Sequence, residues 1–182
     1  DPNLKPERTR EIEAGLELKG WDNRVSVDVA VYKKNSFDQI ASIAIPQASG
    51  FTGLFTNIGE LSNKGLELSV GVTPVKLSNG FTWDIRGVYT YNKSKVEELR
   101  MPNGLPIDEI TLRNTFAGSV QAVHIVGEEY GLIKGTVSAR DDEGNLLINP
   151  ADGQLIADPN PAVVGNPNPD FIMGITNTLS WK

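Results

Sequence analysis

Apolar and polar residues alternate one by one along five stretches of the chain. Near its end, in NPDFIMGITNTLSWK (168–182), Phe171, Met173, Ile175, Leu179 and Trp181 fall on one side, and Ile172, Gly174, Thr176, Thr178, Ser180 and Lys182 on the other. Earlier, Ile12, Ala14, Leu16 and Leu18 oppose Glu11, Glu13, Gly15, Glu17 and Lys19, and Val25, Val27, Val29 and Val31 oppose Ser26, Asp28, Ala30 and Tyr32. Leu66, Leu68, Val70 and Val72 oppose Glu67, Ser69, Gly71 and Thr73, while Trp83, Ile85, Gly87, Tyr89 and Tyr91 oppose Thr82, Asp84, Arg86, Val88 and Thr90. Successive side chains of a strand point to opposite sides, so a period of two predicts five β-strands, each with one apolar face.

The connections divide into short and long. GWDN and the Asn-Gly-bearing KLSNG read as tight turns. Strands are expected near 10–19, 24–45, 65–75, 81–97 and 170–182, with long loops at 46–63 and 100–169. FDQIASIAI extends the second strand, and the last loop is expected to fold locally, with short strands at SVQAVHIV and GLIKGTVSA and a turn at DDEGN. A connection of that length rarely lacks structure of its own. The Pro-rich DPNPAVVGNPNPD then enters the last strand extended. Short turns alternating with long loops describe an up-and-down meander with all the turns at one end.

Composition narrows the partners. A net charge of -6 disfavours a nucleic-acid backbone and leaves an anionic ligand without an evident site. With no cysteine there is neither disulfide nor thiolate chemistry. No run of apolar residues is long enough for a transmembrane helix, whereas a transmembrane β-barrel needs only strands that alternate for about ten residues.

Enzymatic chemistry finds little support. His124, the only histidine, sits in an apolar run away from any nucleophile motif and reads as a structural residue. Glu11, Glu13 and Glu17 resemble the paired carboxylates of a glycosidase only in type, and a solvated strand face explains them. No phosphate loop or zinc spacing is present. RDDEGNLLINPADG (140–153) is acidic and turn-rich but departs from the calcium-loop pattern. The expected enzyme class is none, with no catalytic, cofactor or metal residues, and the substrate-binding residues are left open. Trp21, Trp83, Tyr89, Tyr91 and Trp181 suit either the aromatic girdles of a barrel or cross-strand pairs in a soluble sheet.

DPNLKPERTREIEAGLEL (1–18), NRVSVDVAVYKKNSFDQI (23–40), NIGELSNKGLELSV (57–70) and VGNPNPDFIMGITNTLSWK (164–182) resemble, in order, the C-terminal barrel portion of SusC/RagA-type TonB-dependent outer-membrane transporters. NLKPE is shared widely among TonB-dependent receptors; NxGE…NKGLEL and GNPNPDF are the more specific marks. The resemblance implies an all-β fold, with antiparallel up-and-down strands forming part of a transmembrane barrel in the Gram-negative outer membrane. It also implies import of oligosaccharides or peptides, a SusD-like surface lipoprotein as partner, and a TonB complex engaged through another part of the protein. On this reading the chain is a fragment, without plug or TonB box. The family's DxNxDG stretch survives only as Asp152 and Gly153, which weighs against calcium.

Two functions compete. In the transporter the face bearing Phe171, Ile175 and Trp181 meets outer-membrane lipid, and the sheet alone needs detergent or a partner to stay dissolved. In a soluble β-sandwich, for instance a carbohydrate-binding module, the same faces form a core between two sheets.

Overall fold

The computed structural model describes residues 3–43, 48, 50, 51, 53–115 and 120–181. All its named elements are strands: β1 (Arg8–Gly20), β2 (Val25–Ile43), β3 (Leu54–Lys76), β4 (Thr82–Leu99), β5 (Glu109–Thr115), β6 (Gln121–Ile125), β7 (Leu132–Gly135), β8 (Ala162–Gly165) and β9 (Ile172–Ser180). The strand order β8-β7-β6-β5-β2-β3-β4-β9, with β1 beside β2, does not close on itself. The fold is therefore all-β and antiparallel, as the alternation predicts.

Two compact units divide the chain. One gathers Thr9–Ser36, Ser62–Ser94 and Pro169–Lys182, and it holds the five alternating stretches. Here β4 and β9 pair from Thr82↔Ser180 to Thr90↔Ile172 without interruption, so Gly87 meets Ile175 and Arg86 meets Thr176. The first turn runs through Trp21, Asp22 and Asn23, all at positive φ. At the second turn Gly80, φ 88, donates to the Leu77 carbonyl, and Leu77 donates to that of Phe81.

The other unit gathers Asp1–Arg8, Phe37–Leu61 and Lys95–Asn168. It contains the buried apolar cluster of Ile58, Val96, Leu99 and Ile110, joined by Ala41, Ile43, Leu61 and Ile107. Two segments expected as loops are strand here. β3 begins at Leu54: Thr56 and Ile58 share its covered face while Phe55 is exposed on the other, so a polar residue lies inside and an aromatic one outside, which hides the alternation in the sequence. Within 100–169, β6 and β7 lie in the two runs expected to be strands, while β5 and β8 come from stretches read as loop and extended chain. β5 joins β2 through Ile43↔Leu112, β6 lies between β5 and β7, and β8 closes on β7.

Candidate functional surfaces

The alternating strands present two chemically opposite faces. On the apolar one, Ile12 is 72% exposed, Ile175 69% and Leu179 66%, where a buried core would leave almost nothing. Tyr89 and Phe171 stack at 5.6 Å on this side, and Trp83 Nε1 donates to Asn177 at 3.4 Å. Over Gly87, whose missing side chain leaves room, runs an apolar groove of about 210 Å³ lined by Leu68, Val70, Tyr89, Met173 and Ile175.

Hydrogen bonds and charges hold the polar face together. Thr73 donates to Asp84 at 2.6 Å and Arg86 Nε to Ser69 at 3.1 Å. The Tyr32 ring crosses β3 above Gly65 and its hydroxyl donates to Asn92 Oδ1 at 3.2 Å. A side chain at Gly65 would collide with that ring, so glycine lets one tyrosine bridge three strands. Around it a polar hollow of about 290 Å³ is lined by Glu11, Glu13, Tyr32, Lys34, Asn63 and Glu67 among others. Glu17, far from acting with Glu11 and Glu13, forms an exposed ion pair with Lys19 at 2.6 Å. Such a surface can orient a polar ligand or pack on polar protein.

In the other unit, sequence marks far apart in the chain meet. Lys5 of NLKPE donates its amide to Asn57 Oδ1 at 2.8 Å, and the Asn57 amide returns bonds to the carbonyls of Lys5 (2.9 Å) and Asp38 (2.6 Å). Glu7 accepts from the Ile40 amide at 2.6 Å, and Arg8 pairs with Asp38 at 2.9 Å. Gly59 of NIGE has φ 146, with the Glu98 carbonyl where a side chain would begin. Of GNPNPD, Asn166 donates to Glu129 (3.1 Å) and Asn168 to the Tyr130 carbonyl (2.8 Å). These residues pin chain segments to one another.

His124 is buried at 1% exposure against Tyr130, 4.1 Å away, and its Nδ1 accepts the Gly131 amide at 3.2 Å. Burial holds its pKa below the ordinary value, opposed by a backbone hydrogen bond at Val123, so the ring is neutral and structural. In the acidic stretch Asp141 spends both carboxylate oxygens on Asn145, which lowers its pKa. Among the described residues no three His, Asp or Glu side chains converge as metal ligands.

Comparison with known proteins agrees with this geometry. The family described as "TonB dependent receptor-like, beta-barrel" matches residues 1–133. TonB-dependent receptor P26 of Formosa agariphila is 30% identical over 200 residues, covering 100% of this chain and 20% of that protein. TonB-dependent receptor SusC of Bacteroides thetaiotaomicron is 27% identical over 190 residues, covering 99% and 18%. Among solved structures, the RagAB peptide importer in its closed-closed state superposes with a TM-score of 0.73 at 19% identity, over 100% of this chain and 20% of that one. The chain thus spans about a fifth of the length of the curated relatives it matches. It belongs to the TonB-dependent receptor β-barrel family, with SusC among its relatives.

Proposed function

We propose that residues 1–182 form part of the barrel wall of an outer-membrane importer of the SusC/RagA type. The observation that carries this reading is the exposed apolar face opposite a charged, hydrogen-bonded one. Lipid on one side and a polar interior on the other accommodate both faces. A soluble sandwich would cover the apolar side, so the exposure of Ile12, Ile175 and Leu179 removes its support.

In this role the strands provide a wall for gated passage and make or break no bond of the cargo. β1, β3 and β9 run toward the periplasm, where the turns after Gly20 and Lys76 lie, and the connection over 100–169 faces outward. The cargo is an oligosaccharide or a peptide, SusC and the RagAB peptide importer being the relevant comparisons. A SusD-like surface lipoprotein covers the outer mouth, and a TonB complex acts through another part of the protein. Fractionation of cells carrying the full-length gene product, with heat-modifiable migration on a gel, tests the reading. Recovery with outer-membrane markers and a heat-dependent shift support it; a soluble product without a shift refutes it.

A further inference from the structure

Register gathers several unspent polar groups on the polar face of the sheet. A side chain at Gly15 would meet Ala30, the Tyr32 ring lies over Gly65, and Thr73 bonds Asp84. Counting along the strands from these contacts sets Glu11, Lys34 and Asn63 in one row across β1, β2 and β3. Glu13, Tyr32, Gly65 and Asn92 form the next row, and Ala30 and Glu67 the one after. Beside the bridging Tyr32 and above the short Ala30 opens the polar hollow of about 290 Å³.

Glu17 shows what a solvated carboxylate does on this face, closing on Lys19 at 2.6 Å. Glu11, Glu13 and Glu67 form no such pair among the described residues, and the half-buried Lys34 forms none either, although Glu11 stands opposite it. Asn63 Oδ1 is shut off from solvent and accepts no hydrogen bond among the described residues. Buried acceptors are almost always paired, so this orphan marks a place for a donor that the fold itself does not supply. Three carboxylates against one ammonium also leave the hollow two negative charges in excess.

That lining selects a ligand chemistry. Acceptors outnumber donors, which suits a cation rich in N–H groups; a guanidinium carries five and an ammonium three. The face of an aromatic ring beside the carboxylates favours the same cation. A neutral sugar would leave the excess charge unbalanced. Lys34 calls for one anionic or carbonyl oxygen close to the cation, and a basic amino-acid residue carries both groups on one frame.

We propose that this hollow seats a basic residue of a peptide cargo. Glu11, Glu13 and Glu67 hold its guanidinium or ammonium beside the Tyr32 ring, Lys34 meets its carboxyl end, and Asn63 turns its amide to accept a further N–H. The seat rests on the reading that this face borders the transport path, and it narrows the cargo from oligosaccharide or peptide to a cationic peptide.

The test uses the full-length gene product in dodecyl maltoside, with calorimetry to read binding and the heat-modifiable gel shift to read folding. Glycyl-glycyl-arginine is titrated beside its citrulline analogue, which keeps the shape without the charge, beside its C-terminal amide, and beside a glucosamine trimer as a cationic sugar. The arginine peptide should bind, and the citrulline peptide about tenfold more weakly or worse, as loss of one charged hydrogen bond requires. This comparison needs no variant, so it holds whether or not a substitution disturbs the fold. Combined Glu11→Gln, Glu13→Gln and Glu67→Gln should abolish the preference for arginine over citrulline, whereas Glu17→Gln, outside the hollow on the same strand, should keep it. Lys34→Gln should weaken binding of the free acid and leave the amide unchanged, a difference that a merely structural lysine would not produce. Equal binding of arginine and citrulline peptides, a glucosamine trimer bound as tightly as the arginine peptide, or parent-like preference in the triple variant would overturn the seat. So would failure of every probe together with a lowered heat-shift midpoint in the triple variant, which would mean that a cation from elsewhere in the same gene product fills the hollow. A full-length product that is soluble and shows no heat shift defeats the importer reading and the seat with it. An outer-membrane product that shifts normally and ignores the arginine peptide defeats the seat alone.

Discussion

Replacing Gly59 with alanine probes the contact that fixes β3 on β4. A Cβ at this position would overlap the Glu98 carbonyl oxygen and lie 2.8 Å from its carbon. Both are backbone atoms, so no rotamer can relieve the clash, and the strands must part by at least about 1 Å. Because φ is 146, alanine also carries backbone strain of about 1–3 kcal/mol. Parting the strands stretches the bond from the Arg100 amide to the Ile58 carbonyl, now 2.7 Å, at about 1 kcal/mol. It also disturbs Ile58 and Leu99, which are 3% and 1% exposed. The total loss is roughly 3 kcal/mol or more. Gly65→Ala provides the comparison: its Cβ would meet only the end of the Tyr32 side chain, which can swing away at the cost of its bond to Asn92, about 1 kcal/mol. Hydrogen exchange of the Arg100 amide in the full-length gene product reads both variants. Gly59→Ala should speed it at least a hundredfold and Gly65→Ala should barely change it. Parent-like exchange in Gly59→Ala would show that the close approach of β3 and β4 does not constrain the fold.

Three further outcomes follow from the same geometry. His124 has a folded-state pKa below its ordinary value, so the stability it contributes is complete above about pH 6.5 and is lost as pH falls through the folded value; protection of the Gly131 amide, measured against its intrinsic exchange rate at each pH, should fall on acidification, and His124→Phe should remove that dependence. Ile175→Lys places a charge in the middle of the apolar face and should cost about 2–4 kcal/mol of stability in lipid, while Thr176→Lys on the opposite face should cost far less; heat-shift midpoints of the two variants measure the difference. Asp141→Ala removes the carboxylate that closes the turn onto Asn145, and limited proteolysis should then cut at 141–145 faster than in the parent.

The five alternating strands were legible because each keeps one face apolar and one polar over many residues. β3 before Ser62 was not, since the polar Thr56 lies on the covered face with Ile58 while Phe55 is exposed on the other, against the order of apolar inside and polar outside. β5 and β8 escaped for other reasons: β5 is short and irregular in register against its near neighbour β6, with a single matched pair joining it to β2, and β8 is a four-residue strand held by β7, distant in sequence. The NLKPE and NIGE marks were visible as strings, but their purpose appears only when Asn57 is seen bonded to Lys5 and Asp38.

The central claim is that odd-numbered residues of β9 face lipid and even-numbered ones a polar interior. This chain has no cysteine, so single substitutions can be labelled one by one. Ile175→Cys, Leu179→Cys, Thr176→Cys and Thr178→Cys, made in a cysteine-free full-length gene product, would carry a fluorophore into bilayers containing brominated acyl chains. The account predicts quenching by the lipid at 175 and 179 and little at 176 and 178. Equal quenching at all four positions, or the reverse order, would contradict it.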